Sequence, residues 1–338
     1  MNRRNYSGRG KRELFKKTAF FIGVVAAVFA AASVLSKVAG TDRPGFEEHS
    51  TEQIADVIEI NGIKCRPKSN IRTWLFIGAD SPGTAKTVEG EEVSGQCDVL
   101  ELLVLDKTAG IYTRLSINRD TMTDVKSLEK DGTYIATSRV QIAFAHAEGD
   151  GMEISCENTV DAVSDFLYGQ KIDGYISLGM DAIPVLNGLC GGVTVTVRDD
   201  FSKTDPSLQQ GETLKLSDEQ AMHYVHDRQN VGDGTNEGRM RRQQEYLAGL
   251  SPLLMEKCRA DKEYPLEIYD GLADYMVTDM SRNDFIKAAA ALLDAEEQEP
   301  AKIEGTNAIG AWDFNEFTPD KDKLADTVIQ LFYDKVEE

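Results

Sequence analysis

Continuous apolar runs alternate with amphipathic stretches along most of the chain, and this alternation predicts its elements. Thr73–Gly78 (TWLFIG) reads as a strand buried on both faces. Val99–Leu105 and Ile111–Ile117 read as two more strands, joined by the turn formers Asp106-Lys107-Thr108-Ala109-Gly110. Helical periodicity follows at Ser138–Ala147 and Ser155–Leu167. After these come a strand at Tyr175–Leu178, a helix at Asp181–Leu189 and a strand at Val193–Val197. Ser217 with Gln220 makes a capping-box pattern that opens a helix reaching about Arg228, and a second helix starts near Asn236 and passes Leu247. Ser281 with Asp284 marks another capped start, and Leu324–Val336 is amphipathic at helical period. Strands and helices that alternate in this way predict an α/β protein, with a central mixed β-sheet covered by helices on both faces. No internal repeat or low-complexity linker interrupts the pattern, so one large domain over 70–338 is expected.

One stretch departs from the alternation. Thr18–Leu35 (TAFFIGVVAAVFAAASVL) carries no charge and directly follows Lys11, Arg12, Lys16 and Lys17. At helical rise it spans roughly 27 Å, close to the hydrocarbon core of a bilayer. The basic flank predicts a cytoplasmic tail over 1–17, a transmembrane signal-anchor over 18–38 and an extracytoplasmic linker over 39–69. The expected location is therefore the cell membrane, single-pass, with the N-terminus cytoplasmic and the catalytic body outside. A cleaved signal peptide is the alternative, because Lys37-Val38-Ala39-Gly40 weakly resembles a small-residue cleavage site.

Charge sharpens this division. The 338-residue chain holds 37 Lys and Arg against 57 Asp and Glu, a formal charge of −20. Its first 40 residues carry eight basic side chains and one acid, Glu13, a net of +7, which leaves −27 on the rest. So acidic a body excludes general nucleic-acid binding, which needs a basic face. The five cysteines, Cys65, Cys97, Cys156, Cys190 and Cys258, show neither C-x-x-C nor metal-ligand spacing. They read as scattered small buried residues, with one disulfide left open as an alternative.

Several polar residues fall where apolar strands end. Gly78–Thr87 imitates a phosphate-cradling loop, but Lys86 comes two positions too late after Gly83 and Pro82 removes an amide the cradle would use. More telling are Asp80, at the end of one apolar strand, and Asp98, entering another. Two such carboxylates can hold one hard cation such as Mg²⁺ and leave coordination sites for phosphate oxygens. Each alone also reads as an ordinary strand-cap acid. Arg119-Asp120 closes a third strand, where a planar guanidinium suits bidentate contact with phosphate, although such a dipeptide also reads as a surface ion pair. The densest cluster is Tyr224-Val225-His226-Asp227-Arg228 followed by Gly238-Arg239-Met240-Arg241-Arg242-Gln243-Gln244. Helical spacing puts Arg239, Arg242 and Gln243 on one face, with Arg241 turned elsewhere. Two readings stay open: a solvated helix with ion pairs to Glu237 and Glu245, or an anion pocket for a polyphosphate. His146, His223 and His226 lack a third zinc ligand, and no G-x-S-x-G elbow is present.

Taken in order, LFIGAD (75–80), CDVLELLVLD (97–106), RLSINRDT (114–121), RVQIAFAHAEG (139–149), DGYISL (173–178) and the segment LSDEQAMHYVHDRQ to EGRMRRQQEYL (216–247) resemble the LytR-CpsA-Psr family of bacterial cell-wall enzymes. The resemblance implies transfer of a glycopolymer, teichoic-acid-like or capsular, from a polyprenyl-pyrophosphate carrier to a peptidoglycan hydroxyl, forming a phosphodiester. The implied partners are the carrier-linked glycan, peptidoglycan and the cell membrane. By the same resemblance, Asp80 and Asp98 hold Mg²⁺ or Mn²⁺, and Arg119, Arg228, Arg239 and Gln243 grip the pyrophosphate, with Arg242 and His226 as further contacts. Asp120 is expected to assist the acceptor hydroxyl. A polyprenyl tail also needs an apolar channel, and two readings of the helices 139–147 and 181–189 stay open: channel lining, or, as is commoner for such stretches, ordinary core. The sequence departs from the family pattern at Gln96 and His226, where Arg is usual, at Asn236, where Asp is usual, and at Asn118, where Pro is usual. These departures keep two alternatives in play: a pyrophosphatase using water as acceptor, and a non-catalytic lipid-binding regulator of envelope assembly.

Overall fold

The computed structural model of the chain describes residues 57–79, 95–261, 263–310 and 314–336. Asp80, the stretch 81–94 and the expected membrane anchor at 18–38 lie outside the described residues. Among those described, no helix is long and apolar enough to cross a membrane. The chain divides into two compact units where the sequence pattern predicts one domain. One unit comprises 178–276, and the other comprises the described residues before 178 and after 276.

The larger unit begins earlier than the expected boundary at 70. Strands β1 (Ile58–Ile60) and β2 (Ile63–Pro67) pair as a hairpin, and Cys65 is fully buried. Residues 58–67, inside the stretch expected to be linker, are thus part of the folded body. Then come β3 (Ile71–Ala79), β4 (Cys97–Asp106) and β5 (Ile111–Ile117), which pair antiparallel in that order. The apolar runs of β3 and β4 are buried on both faces, as for strands inside a sheet, whereas β5 buries only Leu115 and Ile117. The hairpin β6 (Met122–Leu128) with β7 (Tyr134–Gln141) follows, then a 3-10 turn over Ile142–Ala147 and helix α1 (Glu153–Phe166).

Strand β8 (Tyr175–Gly179) leads into the 178–276 unit. That unit contains α2 (Ala182–Cys190), β9 (Thr194–Thr196), β10 (Thr213–Lys215), α3 (Asp218–His226), α4 (Asn236–Ala260) and α5 (Tyr264–Leu272). The chain returns through β11 (Met276–Thr278) to α6 (Arg282–Leu293), β12 (Glu296–Glu297), β13 (Ala301–Lys302), β14 (Gly305–Ile309), β15 (Asn315–Pro319), α7 (Lys321–Phe332) and β16 (Tyr333–Lys335). The main sheet runs β11-β8-β3-β4-β5-β12, with β13 also on β5. Because β12 and β13 join β5 in parallel while β4 runs antiparallel to both β3 and β5, the sheet is mixed, as predicted.

Two expected helices are corrected. Residues 138–147 are not an α-helix: Ser138–Gln141 completes β7, and the amides of Ile142 and Ala143 donate to the carbonyls of Thr121 (2.8 Å) and Arg119 (3.1 Å). Ile142, Ala143, Ala145 and His146 are buried in the core, as the plainer of the two readings of this segment has it. The terminal helix stops at Phe332, four residues early, because Tyr333–Lys335 pairs with β2. Both predicted caps are present. Ser217 and Gln220 form a full capping box, and the Ser281 side chain accepts from Asp284 N.

All five cysteines are buried and unpaired, as the plainer reading held. His146 is likewise a core residue. Its Nδ1 lies 2.9 Å from Gly95 O and its Nε2 3.4 Å from Ser177 Oγ, and burial holds its pKa below the usual value.

One acid sits inside the sheet. Glu101, on β4, is 1% exposed, with Arg114 Nη1 3.6 Å away, and Arg114 Nε lies 2.8 Å from Glu297. Burial pushes the Glu101 carboxyl from 4.5 up to about 8, against the pull of Arg114. Between those two values the native protein holds a proton that the unfolded chain has released, so stability falls as pH rises through this window. Glu101→Gln removes the titration. Its advantage in stability over the unaltered protein should grow from pH 5 to pH 8 by on the order of 3 kcal/mol. Thermal unfolding across that range is the check, and a pH-independent difference would contradict the buried-acid assignment.

Candidate functional site

The candidate residues of the larger unit gather where β4 begins and β5 ends. Asn118 starts the turn after β5. Its side chain accepts from Asp120 N at 3.0 Å, and its carbonyl accepts from Thr121 N and from Thr121 Oγ1 at 2.6 Å. An Asn in this role closes the turn through its own side chain. The turn fixes Arg119 and Asp120.

Arg119 Nη1 donates to Asp98 Oδ1, Nη2 donates to Gln96 Oε1, and Nε lies 3.7 Å from Asp120 Oδ1. Its guanidinium is therefore held in one plane by three neighbours while the side chain stays 31% exposed. Gln96 can accept this hydrogen bond, whereas an Arg at that position could not. The departure removes one positive charge and supplies a support for Arg119. Asp120 in turn accepts from Gln141 Nε2 at 3.2 Å, and the same nitrogen donates to Asn315 O.

Asp98 is the one expected metal ligand among the described residues, which hold no group of three His, Cys, Asp or Glu residues suited to a metal ion. Magnesium needs only one or two carboxylates when waters and substrate phosphates complete its shell. A carboxylate that is 39% exposed, with its Oδ1 held by Arg119, has the oxygen chemistry this requires. Asp98 supplies one carboxylate of the expected pair, and the other, on Asp80, lies outside the described residues.

In the 178–276 unit the cluster is built on the end of α3 and the start of α4. The hydroxyl of Thr235 caps α4, accepting from Gly238 N at 3.0 Å. Arg242 departs from expectation. It is only 2% exposed, and all three of its guanidinium nitrogens donate within the unit: Nε to Tyr224 O (2.8 Å), Nη1 to Asp199 Oδ2 (2.8 Å) and Nη2 to Asp227 O. Its guanidinium carbon also sits 5.2 Å from the Phe201 ring centroid. Gln243 Nε2 donates to Val225 O at 3.1 Å. Together they satisfy carbonyls at the C-terminal end of α3 that a helix leaves without partners. Each guanidinium nitrogen of Arg242, expected as a pyrophosphate contact, is thus committed to a protein acceptor, and Gln243 commits one donor in the same way.

Arg241, expected to turn away from the face of Arg239 and Arg242, pairs with Asp199 Oδ1 at 2.5 Å. Glu245 serves Arg198 (3.2 Å) and the Tyr224 hydroxyl (3.0 Å). Arg228 and His226 are exposed, and Arg239 is half-buried. His226 Nδ1 lies 3.6 Å from Asp227 Oδ1, and His223 Nδ1 lies 3.0 Å from the other oxygen of the same carboxylate.

Sequence reasoning missed Asp199 and Gln141. Asp199 stands in no motif, Gln141 lies inside the segment 139–149 but reads there as part of a helix, and each meets its partners only through the tertiary fold.

Comparison with known proteins gives a consistent result. A family model described as LytR_cpsA_psr matches residues 37–330. Biofilm regulatory protein A of Streptococcus mutans is 27% identical over 239 residues, covering 68% of this chain and 54% of that protein. The polyisoprenyl-teichoic acid–peptidoglycan teichoic acid transferase TagU of Halalkalibacterium halodurans is 29% identical over 141 residues, 42% of each chain. The chain thus spans about half the length of these curated relatives, or less. The crystal structure of TagV from Bacillus subtilis has the same fold, with a TM-score of 0.51 at 20% identity over 78% of this chain and 96% of that one. A Streptococcus agalactiae protein, gbs0355, matches with a TM-score of 0.54 at 19% identity, covering 77% of this chain and 87% of its own. A family model that spans most of the sequence, together with the shared mixed-sheet fold, establishes that the chain belongs to the LytR-CpsA-Psr family.

Proposed function

We propose that the protein transfers a glycopolymer, teichoic-acid-like or capsular, from a polyprenyl-pyrophosphate carrier to a hydroxyl of peptidoglycan, leaving a phosphodiester. The observation that carries this reading is the guanidinium of Arg119, held in plane by Asp98 and Gln96 at the end of β5 in a chain of this family. In the reaction the acceptor oxygen bonds to the sugar-proximal phosphorus. The bond from that phosphorus to the bridging oxygen breaks, and polyprenyl monophosphate departs with the electron pair. Such a substrate already holds a good leaving group, so positioning and charge stabilisation are the protein's main tasks.

Arg119 is the group assigned to phosphate oxygens in the larger unit, and Arg228 and Arg239 are those assigned in the other. Asp120, kept oriented by Gln141, is assigned to the acceptor's proton. Asp98 would hold the divalent cation, with Asp80 as its proposed second ligand. That cation would supply Lewis-acid neutralisation of phosphate charge.

The test incubates the full-length protein in detergent with carrier-linked glycan, Mg²⁺ and peptidoglycan. Polymer covalently attached to peptidoglycan is expected. Glycan phosphate released without attachment, or binding with no product, would contradict the reading in favour of a pyrophosphatase or a regulator.

The same proposal keeps the enzyme at the cell membrane through 18–38, with the body outside. Protease added to intact, wall-stripped cells should digest the body and spare a small membrane fragment. Full-length protein in the medium would contradict the anchor.

A further inference from the structure

Three segments of the 178–276 unit converge on one carboxylate. Asp199 accepts from Arg241 Nη2 (2.5 Å) through Oδ1 and from Arg242 Nη1 (2.8 Å) through Oδ2, which ties the segment after β9 to α4. The third segment is the loop between α3 and α4. Gly232 N donates to Asp200 O at 3.0 Å, and a Cβ on Gly232 would stand 3.1 Å from Asp199 Cβ. Gly232 has φ +54°, so the close approach and the left-handed backbone both favour glycine here.

Arg242 passes the constraint on. Through its bond to Asp227 O it fixes the backbone immediately before Arg228, and Arg239 lies one turn before it on α4. The two arginines assigned to phosphate therefore flank a junction that Asp199 holds shut.

Resting on the reading above, in which Arg228 and Arg239 bind pyrophosphate, we propose that Asp199 is a positioning residue for that anion, setting the arginine geometry through Arg242 without touching the ligand. The proposal runs against simple electrostatics. Asp199 is a negative charge close to a polyanion site, and removing it makes the region more positive. Charge alone predicts tighter anion binding for Asp199→Asn. Positioning predicts weaker binding, because Arg241 and Arg242 lose the acceptor that locks them.

The experiment measures binding of inorganic pyrophosphate to the full-length protein in detergent by calorimetry, at a temperature where thermal unfolding shows each variant to be folded. Affinity of the folded protein is a readout that a purely structural role would not move. The unaltered protein should bind, and Asp199→Asn should bind about fivefold more weakly or worse despite its extra positive charge. Gly232→Ala changes no charge but crowds Asp199 and strains the loop, and it should weaken binding about threefold or more. Equal or tighter binding by folded Asp199→Asn overturns the proposal. If that variant does not fold, Gly232→Ala decides in the same way, with unchanged affinity overturning it. No pyrophosphate binding by the unaltered protein counts against the anion-pocket reading itself, and the inference falls with it.

Discussion

Replacing Arg242 with methionine should lower folding stability by about 3–5 kcal/mol, the range for breaking a buried ion pair from one side. The cost has identifiable parts. Asp199 loses its Oδ2 donor, the carbonyls of Tyr224 and Asp227 lose theirs, and the cation–π contact with Phe201 disappears. Arg241 still pairs with Asp199, which keeps the loss from exceeding that range. Arg228→Ala is the comparison, because an exposed side chain should change stability by only about 0.5 kcal/mol. Urea unfolding of both variants is the measurement. A loss below about 1 kcal/mol for Arg242→Met would mean that Arg242 faces solvent or ligand after all.

Asp98→Asn should reduce the transfer rate by about a hundredfold at low Mg²⁺, with part of the loss recovered as Mg²⁺ is raised. Two effects act together. The neutral amide is a poor ligand for a hard cation, and Arg119 exchanges a charge-assisted partner for a weaker one. The second effect does not depend on metal, so recovery should stop short of the original rate. The assay is transfer rate against Mg²⁺ concentration, with thermal unfolding to show that the variant is folded. Unchanged rates at ordinary Mg²⁺ would remove Asp98 from the metal and leave it as a support for Arg119 alone.

The parts of the fold legible in the sequence were those set by local chemistry. The strands β3 and β4 are long, largely apolar runs, β5 is a shorter mixed strand set off from β4 by turn residues, and the starts of α3 and α6 carry their own caps at Ser217 and Ser281. The β6–β7 hairpin was hidden because most of β7 is exposed, so neither face shows a clear alternation. Val140, Ala143, Phe144 and Ala147 then imitate helical spacing, although the amides at 142 and 143 are committed to Thr121 and Arg119. In the site, spacing correctly placed Arg239 and Arg242 on one side of a helix. It could not say which of them would be covered. That is decided by Asp199 and Phe201, about forty residues away in sequence, and the helix pattern holds no trace of them.

The chemistry itself is tested most directly by the fate of one phosphorus atom. The carrier-linked glycan is prepared with a radioactive label in the phosphate next to the sugar and incubated with the full-length protein, Mg²⁺ and peptidoglycan. The account predicts that the label ends in peptidoglycan, in a phosphodiester that joins it to the glycan, with unlabelled polyprenyl monophosphate released in equal amount. Label recovered only as soluble glycan phosphate, or retained wholly on the carrier, would contradict the account.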